Sequence, residues 1–520
     1  MSEAGFFRRR LNDPLVHLSL KGPRLRLPAL VGLGGLAALG HAPFDLPVLT
    51  LLALTAALHV VTGQGSWARM AWSAWALAFG YFLVGWNWLV EPFLVDAATH
   101  GWMAPFAISL LSGVMALYWG IAGGLAYGLV SGRWPRLIAL VLLISVAEYL
   151  RGILFTGFPW GMLAYIWIET PLSQLLAWIG PHGLNVVTLG ATAAIAGWIA
   201  TGRGAAVPAL LLVAGAALAV TLSPGAVPAA DPGAAQIRMI QSGAPQDEKW
   251  QPGKLEGFVD LQIALTAEGN PVDLTIWSET AVPYLLSDAG PLLETMSAAV
   301  RGGTVIAGIQ RFADGYYHNS LISIEAGADI THIYDKNHLV PYGEYLPYDN
   351  LMRRLGLRGL ASNVGAGFRK GERRDLFDVP GIGLVQPLIC YESVFPAEVA
   401  KGPRPRLTVL ITNDAWFGNF SGPYQHLAQG RARAIEQGVP MVRVAQTGVS
   451  AMIDGKGRIT ASIGLGTGGA ATAALPPELP PTLYARTGDV PALAVLLVGL
   501  ALLLLTQARR KAVDPAGGAA

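Results

Sequence analysis

Apolar and polar positions along this chain fall into two regimes. From residue 27 to residue 222 the apolar residues run in long blocks. Crossing a bilayer takes about 20 apolar residues in a helix. On that rule the blocks near 27–43, 46–63, 70–90, 103–130, 136–154, 183–201, 205–222 and 489–507 predict membrane spans. Eight spans is the count, with seven the alternative if the first two, meeting at His41-Ala42-Pro43-Phe44-Asp45, form a re-entrant pair. Between 235 and 485 the rhythm shortens to apolar runs of strand length separated by polar or helically spaced segments. Runs at 236–240, 272–277, 304–308, 384–389 and 407–412 predict buried strands, with a hairpin over 319–334. Helical spacing recurs at 254–268, 290–301 and 424–437, which makes this part an α/β domain.

Composition agrees with that division. The chain has 520 residues, of which 52% are hydrophobic and 13% charged, with a mean hydropathy of +0.45. A soluble protein of ordinary composition is more polar. A net charge of +2 without a basic tract gives no reason to expect nucleic acid as a partner. Arg8, Arg9, Arg10, Lys21, Arg24 and Arg26 precede the first block, and no short apolar core with a small-residue cleavage site follows them. Residues 1–26 therefore read as an uncleaved cytoplasmic flank, with 27–222 the transmembrane region.

Loop charges give the orientation. Arg69, then Arg133 and Arg136, then Arg203 fall in alternate loops on the side of the N-terminus, and Arg509, Arg510 and Lys511 follow the last block. The opposite loops carry Glu91 and Asp96. Positive loops stay inside, so both termini, including the 508–520 tail, are expected in the cytoplasm. The 235–485 domain is expected on the outer face. Residues 151–181, rich in aromatics, read as an interfacial segment at headgroup level, with Glu148 and Arg151 spaced to pair.

Candidate chemistry gathers where strands should end. Cys390, the single cysteine, closes the run 384–389 and is followed by Tyr391 and Glu392. A lone thiol has no disulfide partner within the chain; it is either a small buried hydrophobe or a nucleophile, and the local sequence leaves both open. Glu279 follows the run 272–277, and Lys336 lies just past another apolar run, in Tyr334-Asp335-Lys336-Asn337-His338. Sheets collect strand ends into one cleft, so three different reactive types at three strand ends form a stronger signal than any one alone. A carboxylate can take a thiol proton, and an ammonium can stabilise a developing oxyanion. Glu344, in Pro341-Tyr342-Gly343-Glu344-Tyr345-Leu346-Pro347, is a second acidic candidate. The nine histidines show no HExxH-type spacing, so no metal is expected, and His338 and His426 read as structural.

These contexts resemble the nitrilase superfamily, in which glutamate, lysine and cysteine occur in this order. The resemblance extends through Thr412-Asn413-Asp414-Ala415-Trp416-Phe417-Gly418, Gln425-His426 and Arg431 to Glu436. With the spans, and with Thr156-Gly157-Phe158-Pro159-Trp160 and the 341–347 segment, the chain resembles the apolipoprotein N-acyltransferase family of bacterial inner membranes. That resemblance implies a multi-span helical membrane domain joined to a periplasmic nitrilase-like α-β-β-α sandwich. It implies Glu279 as base, Lys336 as oxyanion stabiliser and Cys390 as nucleophile, with Glu344, Tyr391 and Glu392 supporting and Trp250 near the substrate. The implied reaction passes an acyl chain from a phospholipid through a Cys390 thioester to the α-amine of a diacylglyceryl-cysteine lipoprotein. Both substrates are lipids, and no cofactor is implied. One departure is Gln446, where the family pattern leads to an Asn and a local backbone contact is at stake.

Two other functions fit less of the chain. A tethered amidase acting on small amides would not need the spans. A transporter or membrane scaffold would need ionisable residues along a pathway, and the apolar blocks carry few.

Overall fold

The computed structural model describes residues 23–201, 214–215, 231, 233–348, 367–372, 375–399 and 402–513. The basic residues Arg8, Arg9, Arg10 and Lys21, the predicted span 205–222 apart from 214–215, Arg203, and residues 514–520 of the tail lie outside the described residues. The chain divides into two compact units, one drawn from residues 1–90, 102–223 and 487–520, the other from 91–101 and 224–486.

The first unit is helical. Its long helices are α1 (Pro23–Ala38), α2 (Pro47–Thr62), α3 (Trp67–Gly85), α4 (Ala104–Leu129), α5 (Arg133–Ile153), α6 (Leu176–Thr201) and α10 (Val490–Val513). Each coincides with one of the predicted apolar blocks. Among the described residues, two stretches are long and apolar enough to cross a membrane, Ala97–Leu129 and Val490–Arg509. The pair Trp67–Gly85 and Asn87–Leu94, bent by 67°, would make a third. The count of eight is therefore not established by helix length and composition, because several helices are short or broken; α6 bends at Gly180-Pro181. Small residues bring α1, α3 and α4 together: a Cβ at Gly80 would lie 2.8 Å from the Val31 Cα, and one at Gly123 would lie 2.8 Å from the Ala74 Cβ.

Glu148 and Arg151 do pair, at 2.5 Å and fully buried. Glu148 also accepts from the Trp119 indole at 2.8 Å, and Arg151 donates to the Trp160 carbonyl at 3.0 Å. Tyr81 donates to the Gly161 carbonyl at 3.0 Å. These bonds draw the Thr156–Trp160 segment into the unit. The segment read as interfacial is buried from Trp160 to Ile168, while Ile153, Leu154 and Phe155 near its start and Trp178 near its end are exposed. The charged pair explains the difference: a buried ion pair needs further polar partners, and the segment's carbonyls supply them.

The second unit carries two six-stranded sheets. Their strands are β1 (Gln236–Gln241), β2 (Leu274–Trp277), β3 (Thr304–Ala313), β4 (Tyr316–Ile324), β5 (Ile330–Asp335), β6 (Phe377–Val379), β7 (Gly383–Ile389), β8 (Leu407–Thr412), β9 (Met441–Ala445), β10 (Ser450–Ile453), β11 (Ile459–Ile463) and β12 (Gly469–Ala474). The first sheet runs β12-β1-β2-β3-β4-β5 and the second β11-β10-β9-β8-β7-β6. Each has a parallel centre, β1-β2-β3 in one and β7-β8-β9 in the other. The apolar runs are continuous because both faces are covered. Leu274, Ile276 and Ile306 meet Val385, Ile389, Val409 and Ile411 in a core shared by the two sheets. The alternate residues Trp277, Val305 and Ile309 face outward with the helix α8 (Gly290–Val300) and, partly buried, Ile263 of α7 (Leu255–Ala267). Leu410 and Met441 turn outward on the second sheet to meet α9 (Gly422–Gln437). The order of layers is thus α-β-β-α, as the sequence implied.

Candidate active site

Four strands of this sandwich end at one place. The C-terminal ends of β2 and β3 share an edge of the first sheet because the two are parallel. Strand β5 returns to that direction after two antiparallel pairings, β3 with β4 and β4 with β5. The parallel strands β7 and β8 end together in the second sheet. Glu279 follows β2, Lys336 follows β5, Cys390 follows β7 and Asn413 follows β8. The structure therefore brings the three sequence-predicted reactive residues to one buried cluster.

Glu279 is anchored from three sides. Its Oε1 accepts from Asn319 Nδ2 at 2.7 Å and faces Lys336 Nζ at 3.4 Å, and its Oε2 accepts from the Asn413 backbone N–H at 2.7 Å. Lys336 lies nearer to Glu344, at 2.9 Å, and Asn319 Nδ2 also reaches Glu344 Oε1 at 2.9 Å. The Val340 N–H holds the other Glu344 oxygen at 2.8 Å. One ammonium thus sits between two carboxylates, with an amide bridging them. Burial alone would lower the Lys336 pKa, but Glu344, Glu279 and Cys390 outweigh it and hold the ammonium charged, above the usual lysine range.

Cys390 occupies a strained turn. Its φ is +51°, in the left-handed region that side chains avoid, between β7 and the short 3-10 turn Cys390–Val394. Its carbonyl accepts from Ser393 Oγ at 3.0 Å and lies 3.3 Å from His426 Nε2. Behind it, His426 Nδ1 contacts Asp414 Oδ1 at 2.9 Å, and Arg443 reaches the other Asp414 oxygen. Burial opposes the Asp414 charge, yet Arg443 and His426 hold this carboxyl well below its ordinary range. The thiol itself is pushed above its usual range, by burial first and by Glu279 next, while Lys336 and a hydrogen bond with Thr412 pull the other way. Burial and the facing carboxylate thus favour the protonated thiol.

The supporting residues divide. Glu392 is fully buried and clamps the two sheets: it accepts from Tyr334 Oη at 2.9 Å, Asn337 N at 2.7 Å and Ile389 N at 2.7 Å. Tyr391 is buried, with its ring edge-on to Phe395 at 5.0 Å and to His338 at 5.5 Å. Trp250 is 43% exposed, and Lys249 Nζ sits 5.0 Å over its ring. His338 and His426 are both hydrogen-bonded, His338 to Glu398 at 3.1 Å.

Sequence reasoning missed Asn319, Asn413 and Lys249. Asn319 lies inside a predicted hairpin, where asparagine is ordinary. Lys249 precedes Trp250 in a polar stretch where a lysine looks solvated, but it is buried, donating to Thr280 Oγ1 at 2.7 Å and to Gln446 Oε1. The departure at Gln446 costs no backbone contact: its N–H donates to the Thr412 carbonyl at 3.1 Å and its carbonyl accepts from Gly243 at 2.9 Å.

Comparisons with known proteins follow this geometry. Residues 236–480 match the family described as Carbon-nitrogen hydrolase, and residues 33–195 match the Apolipoprotein N-acyltransferase N-terminal domain. The apolipoprotein N-acyltransferase of Rhodopseudomonas palustris is 36% identical, covering 92% of this chain and 94% of its own length. That of Bradyrhizobium diazoefficiens is 37% identical, covering 92% and 94%. That of Caulobacter vibrioides is 36% identical, covering 91% and 93%. A CN-hydrolase superfamily protein from Xanthomonas campestris, solved with an arsenic adduct in its active site, is 18% identical with a TM-score of 0.35, covering 51% of this chain and 97% of that one.

A resting thiol has a measurable consequence. Alkylation of Cys390 by iodoacetamide is expected to be slow at neutral pH and to keep rising past the ordinary cysteine range of about 8.5. A pH-independent plateau already reached at neutral pH would show a preformed thiolate and contradict the buried, carboxylate-facing environment.

Proposed function

This chain belongs to the apolipoprotein N-acyltransferase family, and on that premise we propose that it acylates the N-terminal diacylglyceryl-cysteine of lipoproteins with a chain taken from a phospholipid. The observation that carries the reading is the Glu279–Lys336–Glu344 cluster, with Glu279 and Lys336 buried, at the strand ends that also present Cys390. In the first step the Cys390 sulfur attacks the ester carbonyl carbon of the donor, and Glu279 takes the thiol proton. Lys336 faces the oxyanion of the tetrahedral intermediate. Its ammonium is held charged by two carboxylates, so the stabilising charge is in place before reaction. Collapse expels the lysophospholipid alkoxide, which recovers the proton from Glu279, and leaves an acyl-thioester. In the second step the acceptor's α-amine attacks the thioester carbonyl. Its pKa of about 7.7–8.0 leaves part of it unprotonated near neutrality. An amide forms, the thiolate leaves, and the amine's surplus proton returns to Cys390 through Glu279.

Glu344, Tyr391 and Glu392 support the site in this reading. Glu344 shares the Lys336 charge, while Glu392 fixes Ile389 and the 337–338 backbone on either side of the reacting groups. Trp250, exposed beside the site, is assigned to substrate contact. Lipid substrates account for apolar helices on the same chain; a tethered amidase for small amides would leave the matched region 33–195 without a role. We assign the protein to the bacterial inner membrane, multi-pass, with the 235–485 domain periplasmic and both termini cytoplasmic.

Two measurements test this. With labelled phospholipid and a diacylglyceryl-cysteine peptide, Cys390→Ser and Glu279→Gln are each expected to lower transfer by at least about 100-fold. Lys336→Arg should not restore the wild-type rate, because the planar fork cannot replace a compact ammonium. Transfer within a few-fold of wild type in either of the first two variants would remove that residue from the reaction. For orientation, single cysteines placed at exposed positions such as Asp314 or Ser287, in a Cys390→Ser background, should react with an impermeant maleimide from the periplasmic side. Labelling only after the inner membrane is opened would reverse the topology.

A further inference from the structure

The Glu279 turn is held in an unusual way. Thr280, the next residue, has φ +47°, again in the left-handed region. A glycine lets the neighbouring strand come close: a Cβ at Gly308 would lie 2.6 Å from the Glu279 Cα, and Gly308 exchanges backbone hydrogen bonds with Ser278 at 3.2 Å and Val282 at 3.1 Å. On the other side stands the Lys249 ammonium. It donates to Thr280 Oγ1 at 2.7 Å and to Gln446 Oε1, and it lies 3.4 Å from the Glu279 carbonyl. Gln446 in turn donates to the Ala244 carbonyl at 2.7 Å, and Gln246 accepts from Asn413 Nδ2 at 2.8 Å. The loop 243–250 is thereby tied to both residues that flank the Glu279 carboxylate.

We propose that Lys249 is a positioning residue for the acyl transfer: its charged form locks the Glu279–Thr280 turn against Gln446 and so aims the carboxylate that takes the Cys390 proton. The proposal rests on the reading of Glu279 as base. An ammonium carries three N–H donors, and three acceptors surround it; a neutral amine would leave one acceptor unserved. A buried polar group left without its partner is destabilising and would loosen a turn that already carries strain. Glu279 is the charged group acting on Lys249, since the neighbouring Glu248 is engaged by Lys254 at 2.9 Å. The remaining face of the ammonium looks onto the Trp250 ring. Burial brings the Lys249 pKa down to about 7, with Glu279 pulling partly the other way. The locked form therefore prevails below that pH and is lost above it.

The donor half-reaction isolates this effect, because it needs no acceptor amine. Thioester formation on the full-length protein, given phospholipid alone, is expected to fall as pH rises through about 7. Lys249→Met should lower this rate by roughly 10- to 100-fold and remove the limb, with KM for phospholipid little changed. Thr280→Val, nearly isosteric, removes one acceptor for the ammonium and should move the limb to lower pH; a lysine that merely fills space would leave it in place. This second variant decides the matter if Lys249→Met does not fold. A Lys249→Met protein with the wild-type rate and profile, or a Thr280→Val limb that does not move, overturns the proposal. Glu279→Gln run in parallel separates the causes: if it still forms the thioester, the base assignment fails and the proposal with it.

Discussion

A single buried ammonium between one buried and one partly buried carboxylate is the interaction on which the site depends. Taking Lys336, Glu279 and Glu344 out of water carries a desolvation cost of several kcal/mol per charge, which only close pairing and full hydrogen bonding can offset. The structure supplies close pairing and several hydrogen bonds: Asn319 Nδ2 bridges the carboxylates, and backbone N–H groups of Asn413 and Val340 serve their outer oxygens. Removing Lys336 would leave two carboxylates facing each other without their shared cation. The cluster therefore ties the ends of β2, β5 and β8 to Asn319 of β4.

The same charges bear on the state of the Cys390 thiol. A thiol beside a lone lysine would ionise early, but here burial and Glu279 push it up while Glu344 and Glu279 keep Lys336 cationic. The ammonium is thus held charged while the facing thiol is held in its protonated form. Strain appears at the two turns that present the reacting groups, Cys390 and Thr280. Each is restrained by buried polar groups, Ser393 and His426 at one and Lys249 at the other. Strain of this kind persists only when its surroundings over-determine it.

Much of this was legible in the sequence because strands buried on both faces leave continuous apolar runs, and those runs end where Glu279 and Cys390 begin. The runs at 236–240, 304–308 and 407–412 lie inside or coincide with observed strands, and α7, α8 and α9 begin and end within two residues of the expected bounds. The pairing order of two separate sheets was not readable from local pattern, because register depends on contacts distant in sequence. Asn319 and Lys249 were missed for a related reason: an amide in a hairpin and a lysine beside a tryptophan look solvated until the tertiary fold buries them. In the aromatic segment 151–181 the packing of Trp160 to Ile168 inside the helical unit was likewise not readable, because it depends on the Glu148–Arg151 pair reaching the Trp160 carbonyl.

The central claim is that Cys390 carries the acyl group between donor and acceptor. Intact-protein mass spectrometry of the full-length enzyme with phospholipid alone tests it most directly. The account predicts a mass increase of one acyl chain, located on Cys390 and discharged when a diacylglyceryl-cysteine peptide is added. An unchanged mass under conditions where transfer proceeds once acceptor is present would contradict it, and would require direct transfer between the two lipids without a covalent enzyme.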